Sequence, residues 1–232
     1  MRICLICTEK LPVPPIRGGA IQTYIAGVLP FLSRAHHVTV ICRRDPALAE
    51  RSEAGGVRYV RVPAGSAAGY VYRVAQFLRS QPPFDLLVQY NRPAYLPLLA
   101  EAAGGARLML SMHNDMLHPD RMAPALARTV LGQVAAVITI SDYIRLTIDG
   151  QHPGFAAKLH TIRAGVDVRR FMPLWTAVER RRRIRRRLRV GGRPVLLHVS
   201  RFSPKKGNAL VIAAAEAVLR EHPAAVLLVV GS

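Results

Sequence analysis

"PVLLHVSRFSPKKGNALVIAAAEAVLREHPAAVLLVV", residues 194–230, reads in outline as strand, helix and strand. Two short apolar runs flank a helical candidate at residues 208–220. A helix between two strands that are apolar almost throughout is a βαβ unit with parallel strands. The stretch also carries chemistry. Arg201 falls at the carboxyl end of the first run, and Lys205 and Lys206 stand just before Gly207, where the helix begins. The free N–H groups and partial positive charge of a helix start point the same way as those side chains. Together they suit a dense anion such as a diphosphate. A solvated basic turn is the plainer reading of the same residues.

The same alternation runs upstream. "RICLICT", "HVTVIC", "VRYVRV", "LLVQY", "ARLMLSM", "AAVITI" and "KLHTI" read as strands, most of them continuous apolar runs suited to a sheet buried on both faces. Helical candidates lie between them at residues 20–34, 70–80, 94–103, 121–134 and 142–150. In the first, Ile25, Val28, Leu29 and Leu32 form one apolar stripe. The fold class expected is α/β, with a doubly wound, Rossmann-like parallel sheet. Three regions follow: residues 1–173 as this first domain, 174–193 as a basic linker helix, and 194–232 as the start of a second α/β domain. Two parallel strands and one helix cannot cover their own apolar faces. Residues 194–232 are therefore expected either to dock on the first domain or, the favoured reading, to be part of something longer.

Composition narrows the partners. The chain has 232 residues, is 50% hydrophobic and carries a formal charge of +19, almost all of it arginine. Such a balance points to an anionic partner, whether nucleic acid, an acidic membrane surface or a phosphorylated substrate. A genome biased toward arginine codons would give the same balance. Cys4 and Cys7 are spaced like a redox pair, but they fall inside a strand whose alternation sends them to opposite faces, so they read as core cysteines in a reducing, cytoplasmic setting. "MRICLIC" is too short for a signal segment, and no run reaches the roughly 18 apolar residues of a membrane span.

Three further stretches could carry chemistry. In "RGGAIQTYI", Gly18 and Gly19 precede a helix and would let the backbone approach a phosphate or a sugar, or simply make a turn. The dinucleotide fingerprint is absent. In "LSMHND", His113 and the adjoining Asn114 follow a strand, at the sheet edge where ligands bind in open α/β folds. A structural histidine is the alternative. In "ITISDYIR", Ser141 reads first as a helix N-cap and second as a substrate contact. No nucleophile elbow or Walker-type loop occurs, and His, Cys and carboxylates do not cluster as a metal site requires.

On these stretches the chain resembles the retaining glycosyltransferases of family 4, which have the two-domain GT-B architecture. "RGGAIQTYI" resembles the family's glycine loop, "SMHND" its strand-end histidine, "VITISDYIR" its serine and following helix, "RAGVDVRRF" its turn before the linker, and "SRFSPKKG" its R-x-x-x-x-K-G element. "AEAVLREHPAAVLLVVGS" resembles the helix and strand that follow that element. "YNRP" at Tyr90–Pro93, followed by "MHND", resembles a branch associated with bacterial spore coats.

The resemblance implies a nucleotide-sugar donor, UDP- or GDP-linked, and an acceptor that is a glycan, a lipid or a protein. It implies His113, Arg201 and Lys206 as the catalytic set, with His113 on the transferred sugar and Gly18, Gly19, Arg201, Lys206 and Gly207 around the diphosphate. It implies no metal and no other cofactor, and a cytoplasmic protein in peripheral contact with the anionic inner face of the membrane. Two departures stand out. Ala164 replaces the usual asparagine of the turn, and no glutamate has another eight residues on, so the Glu-x7-Glu pair that holds donor ribose and sugar is missing. A chain ending before that pair is expected to have little activity alone, and a non-catalytic scaffold is the competing reading. The run "RRRRIRRRLR", residues 180–189, raises nucleic acid as a third possibility. No aromatic interleaves it, and no recognition motif accompanies it, so nucleic acid is the weaker reading.

Overall fold

The computed structural model describes residues 1–231. They fall into two compact units, residues 1–165 and residues 166–231. The division comes after Gly165, so the turn at residues 166–173 and the arginine-rich helix go with the second unit.

In the first unit the chain runs β1 (Arg2–Ile6), α1 (Ala20–Leu32), β2 (His37–Arg43), β3 (Arg51–Ala54), β4 (Val57–Val62), α2 (Ala67–Arg79), β5 (Leu86–Tyr90), α3 (Leu96–Ala102), β6 (Arg107–Met112), α4 (Pro124–Gln133), β7 (Ala136–Thr139), α5 (Asp142–Gln151) and β8 (Leu159–Thr161). The strands form one eight-stranded sheet in the order β3-β4-β2-β1-β5-β6-β7-β8. All pairs are parallel except β3 with β4. The chain builds outward from β1 to β4, then returns to the middle and builds the other way from β5. The direction of winding therefore reverses between β1 and β5, where open α/β sheets leave a crevice at the carboxyl ends of the strands.

The continuous apolar runs are strands covered on both faces. Cys4 and Ile6 pack with α2, α3, α4 and α5 on one side, and Ile3, Leu5 and Cys7 pack with Ile25 and Leu29 of α1 on the other. Cys4 and Cys7 thus lie on opposite faces, as alternation requires, and both are buried free thiols. Burial pushes Cys7 up to about 12.

Local chemistry sets several boundaries that the apolar pattern alone misplaces. Strand β3 is absent from the pattern because "RSEA" is short, polar and at the sheet edge. It exists because Gly55 and Gly56, both at positive φ, make the two-residue turn into β4. Helix α4 starts at Pro124 rather than at residue 121, since proline suits a first helical position. Helix α2 starts earlier than residue 70, because the Ser66 side chain accepts from the Gly69 N–H at 3.0 Å and caps it there. The stretch read as one helix from residue 94 is a 3-10 turn over Pro93–Tyr95 followed by α3.

The second unit contains α6 (Val178–Arg187), β9 (Val195–Val199), α7 (Asn208–Glu221) and β10 (Val226–Val230). Strands β9 and β10 are parallel, giving the βαβ unit read from residues 194–230. Its faces stay open to solvent: Leu197, Val199, Leu210 and Ile212 are all exposed. No helix among the described residues is long and apolar enough to cross a membrane.

Candidate functional site

The carboxyl edge of the first sheet gathers the glycine loop, His113 and Asn114. Gly18 and Gly19 sit at φ 75° and 102°, a region open to glycine. Gly19 is also the N-cap of α1. A Cβ there would overlap Oε1 of Gln22 and come within 2.8 Å of Cδ1 of Leu11. Gln22 is buried, and its Nε2 reaches the Cys7 sulfur, Thr8 Oγ1 and the Leu11 carbonyl at 3.3–3.4 Å. The glycine loop is therefore held from beneath, with the unpaired N–H groups of the α1 start at its rim.

His113 lies just past β6. Its backbone N–H and that of Asn114 both donate to Oδ1 of Asn91, at 2.8 and 3.1 Å. Asn91 is buried and left-handed, with φ 53°. The His113 ring packs edge-on against Tyr24 of α1, with centroids 4.8 Å apart, and against Tyr90 at 5.8 Å. Its Nε2 lies 3.3 Å from Ser111 Oγ. Burial lowers its pKa to about 4, so the imidazole is uncharged at neutral pH and serves as a hydrogen-bonding group rather than a cation. Tyr24 thus joins the helix of the glycine loop to the histidine.

Beside these residues Glu9, past β1, and Arg92, past β5, bridge the reversal point. The Arg92 Nε and Nη2 donate to the two Glu9 carboxylate oxygens at 2.8 and 2.9 Å, and the Tyr95 hydroxyl donates at 2.9 Å. Burial raises the Glu9 carboxyl, but hydrogen bonds from Arg92, the backbone and Tyr95 outweigh it and hold the carboxyl at about 2.

The second unit collects the basic corner past β9. Gly207 is left-handed, φ 67° and ψ 24°, and is the N-cap of α7. Lys205 and Lys206 close a short 3-10 turn before it. The side chains of Arg201, Lys205 and Lys206 are exposed, and no carboxylate pairs with them among the described residues. A polar web fixes the loop beneath them. His198 Nε2, Ser200 Oγ and Asn208 Oδ1 lie 2.9–3.0 Å from one another, and Asn208 Nδ2 donates to the carbonyls of Arg201 and Ser203 at 3.3 and 3.2 Å. The loop is thus preshaped while its cations stay free, which suits capture of a dense anion.

Two groups therefore form. Gly18, Gly19, His113 and Asn114 share an edge of the first unit, and Arg201, Lys206 and Gly207 share a loop of the second. Ser141 stands at the end of β7, where its Oγ accepts from the Ile144 N–H at 3.3 Å and caps α5. The Asn114 side chain is exposed. Among the described residues no three His, Cys, Asp or Glu side chains converge on one point. Sequence reasoning missed the braces: Gln22, Asn91, the Glu9–Arg92 pair, and His198 with Ser200 and Asn208. The only local signal was polar residues in or just beyond apolar strands, as in "LLVQYN" and "LLHVS".

The chain is similar to known proteins along its length. The whole chain is 38% identical to spore coat protein SA of Bacillus subtilis over 234 residues, covering 61% of that relative. It is 32% identical over 243 residues to the GDP-mannose-dependent alpha-(1-6)-phosphatidylinositol monomannoside mannosyltransferase of Mycobacterium tuberculosis, with 99% of the chain and 60% of the relative aligned. The chain thus spans about three fifths of the length of these curated relatives. Among solved structures, Alr3699/HepE of Anabaena with UDP-glucose matches 99% of the chain and 60% of its own, at TM-score 0.68 and 21% identity. Sucrose-phosphate synthase of Thermosynechococcus elongatus matches 100% of the chain and 62% of its own, at TM-score 0.78 and 17% identity. At such identities the likeness is one of fold, the GT-B-like α/β class. The glycosyl transferase 4-like domain model matches residues 19–165, more than half of the chain, and the chain belongs to that family.

Proposed function

We propose that this chain contributes the acceptor-side unit and the diphosphate corner of a glycosyltransferase that moves a sugar from a nucleotide-sugar donor to an acceptor hydroxyl with retention of configuration. The observation that carries the reading is the loop past β9: three exposed cations over a polar web, opening into the start of α7. Negative charge builds on a departing diphosphate, and fixed donors placed where it builds lower the barrier. Arg201 and Lys206 take that role, with the N–H groups after Gly207. His113, uncharged at neutral pH, exchanges hydrogen bonds with a sugar hydroxyl. The glycine loop admits phosphate or acceptor close to the backbone. Support for a UDP- or GDP-linked donor comes from the UDP-glucose bound by Alr3699/HepE and the GDP-mannose dependence named for the mycobacterial relative. Likeness to spore coat protein SA favours a cell-envelope or spore-coat glycan, built at the inner membrane face.

The test is calorimetric titration of UDP, then GDP, into the chain with EDTA present. The expected result is binding on the order of millimolar, lost on Arg201→Ala or Lys206→Ala with the circular dichroism spectrum unchanged. Absence of binding, or binding indifferent to both substitutions, overturns the assignment.

A further inference from the structure

The arginines of α6 take no part in the donor reading. Arg181, Arg182, Arg185 and Arg186, at i, i+1, i+4 and i+5, line one side of an open cavity of about 280 Å³. Gly191 and Gly192 line the rest. The helix end builds this shape. Arg189 takes a left-handed conformation, φ 55°. The Val190 and Arg189 N–H groups donate back to the carbonyls of Arg185 and Arg186, at 3.1 and 3.0 Å. This is the Schellman reversal, and it folds the two glycines back toward the helix face. Arg185 then ties them down, donating from Nε to the Gly191 carbonyl at 2.7 Å and from Nη2 to the Arg193 carbonyl. Its guanidinium serves the frame of the cavity. The guanidinium groups of Arg181 and Arg186 donate to no protein acceptor among the described residues, and Arg182 shares its charge with Glu179.

Helix electrostatics alone does not account for this face. Arg185 and Arg186 lie in the last turn, where the helix dipole favours cations. Arg181 lies in the first turn, where it opposes a cation. Arg181 with Arg185, and Arg182 with Arg186, are like-charge pairs at i, i+4, which repel. An anion in the cavity relieves both conflicts.

The location is also distinct from the donor corner. Arg193 donates to the carbonyls of Ala224 and Ala225, so the glycine turn sits where both strands of the second unit begin. Arg201 and Lys206 follow β9. The five residues of β9, about 17 Å of strand, separate the two places.

We propose that this cavity is a second phosphate site, one that takes a phosphomonoester or diphosphate group through the guanidinium forks of Arg181, Arg182 and Arg186. The planar guanidinium of arginine meets two oxygens of a phosphate with paired donors, and glycine leaves room for them. The lining contains no aromatic side chain on which a base could stack, which sets it apart from a single-strand nucleic-acid groove. The site does not depend on the glycosyltransferase reading.

The test therefore uses the full chain carrying Arg201→Ala, so that the donor corner is silent. Inorganic pyrophosphate is titrated by calorimetry at fixed ionic strength. Two variant pairs of equal charge are compared: Arg181→Gln with Arg186→Gln on the cavity face, and Arg183→Gln with Arg187→Gln on the opposite face. Glutamine keeps helix propensity, and circular dichroism checks the fold. The expected result is saturable binding, weakened about tenfold or more by the cavity pair and less than about threefold by the other. Vesicles containing phosphatidic acid then identify the source. Face-dependent vesicle binding marks a lipid headgroup, and pyrophosphate binding without it marks a soluble phosphate; either supports the site. Equal losses in both pairs reduce the helix to a diffuse basic surface and overturn the proposal. So does random-sequence DNA binding without saturable pyrophosphate binding, which makes the helix a nucleic-acid surface.

Discussion

Replacing Arg92 with alanine strips Glu9 of hydrogen bonds at 2.8 and 2.9 Å, leaving its carboxylate with the Tyr95 hydroxyl and the exposed Lys10 ammonium 3.4 Å away. Removing one partner of a buried pair costs about 3–5 kcal/mol, because the remaining charge stays desolvated. The Glu9 side chain is 8% accessible and the Arg92 side chain 21%, and Lys10 persists, so the lower end applies, about 3 kcal/mol. The pH dependence gives the argument its sign. In the wild type the Glu9 carboxyl is held below its ordinary 4.5, at about 2, so its contribution is complete above 4.5 and is lost as pH falls toward 2. In the variant, burial is opposed only by the backbone and Tyr95 hydrogen bonds and the carboxyl moves up, so the penalty is complete at neutral pH and fades as the group protonates. The two curves converge, and the difference shrinks to about half or less by roughly pH 3. Urea unfolding measures it, and the probes separate the units. All seven tyrosines lie in the first unit and the single tryptophan, Trp175, in the second, so in a Trp175→Phe background tyrosine near-ultraviolet circular dichroism follows the first alone. A loss below about 1 kcal/mol, or one that does not change with pH, refutes the buried-pair reasoning. Glu9→Gln in the same background separates charge from packing: it should restore part of the loss at neutral pH and little at low pH.

Gly19→Ala should destabilise the first unit by about 2–4 kcal/mol, from strain at φ 102° together with the overlap on Gln22. Urea unfolding measures the cost; measured against Gln22→Ala alone, Gly19→Ala should still cost the backbone strain and the Leu11 contact, and no cost there would show that backbone strain contributes nothing. Asn208→Ala removes the donors to the Arg201 and Ser203 carbonyls, and should weaken UDP binding by about tenfold with helicity retained. Unchanged affinity in calorimetry would show that the loop keeps its shape without the web.

What was legible in the sequence follows from which forces act locally. A strand buried on both faces must be apolar along its length, so the runs from "RICLICT" to "KLHTI" announced themselves, and with them the parallel sheet. Glycines at the helix starts and the strand-end histidine could be placed because position along a βαβ unit already assigns the sheet edge. The braces were not legible, because their partners are set by topology. Asn91 meets the His113 N–H only because β5 and β6 are neighbours, and Glu9 meets Arg92 only because β1 and β5 are. Strand β3 escaped for a different reason: an edge strand has one paired side and no buried face to demand an apolar pattern. Its signal was the turn, Gly55–Gly56, rather than the strand.

The net charge of +19 divides along the same line. Some arginines are consumed by the fold. Arg61 is buried, and its guanidinium donates to the Val13 and Ala49 carbonyls and to Ser52 Oγ, joining the β1–α1 loop to the edge hairpin. Arg92, Arg185 and Arg193 are spent in the same way on a carboxylate or on backbone carbonyls. These positions need a planar fork with several fixed donors, which lysine does not provide. A bias toward arginine codons would fill the surface with arginine but would not aim guanidinium groups at buried carbonyls. Other cations have no side-chain acceptor among the described residues, and two groups of them stand in the second unit: Arg201, Lys205 and Lys206 at the loop past β9, and Arg181 and Arg186 beside the cavity of α6. Total charge alone therefore does not say where an anion would bind. Subtracting the arginines that the fold consumes leaves the groups on which the two proposed phosphate sites rest.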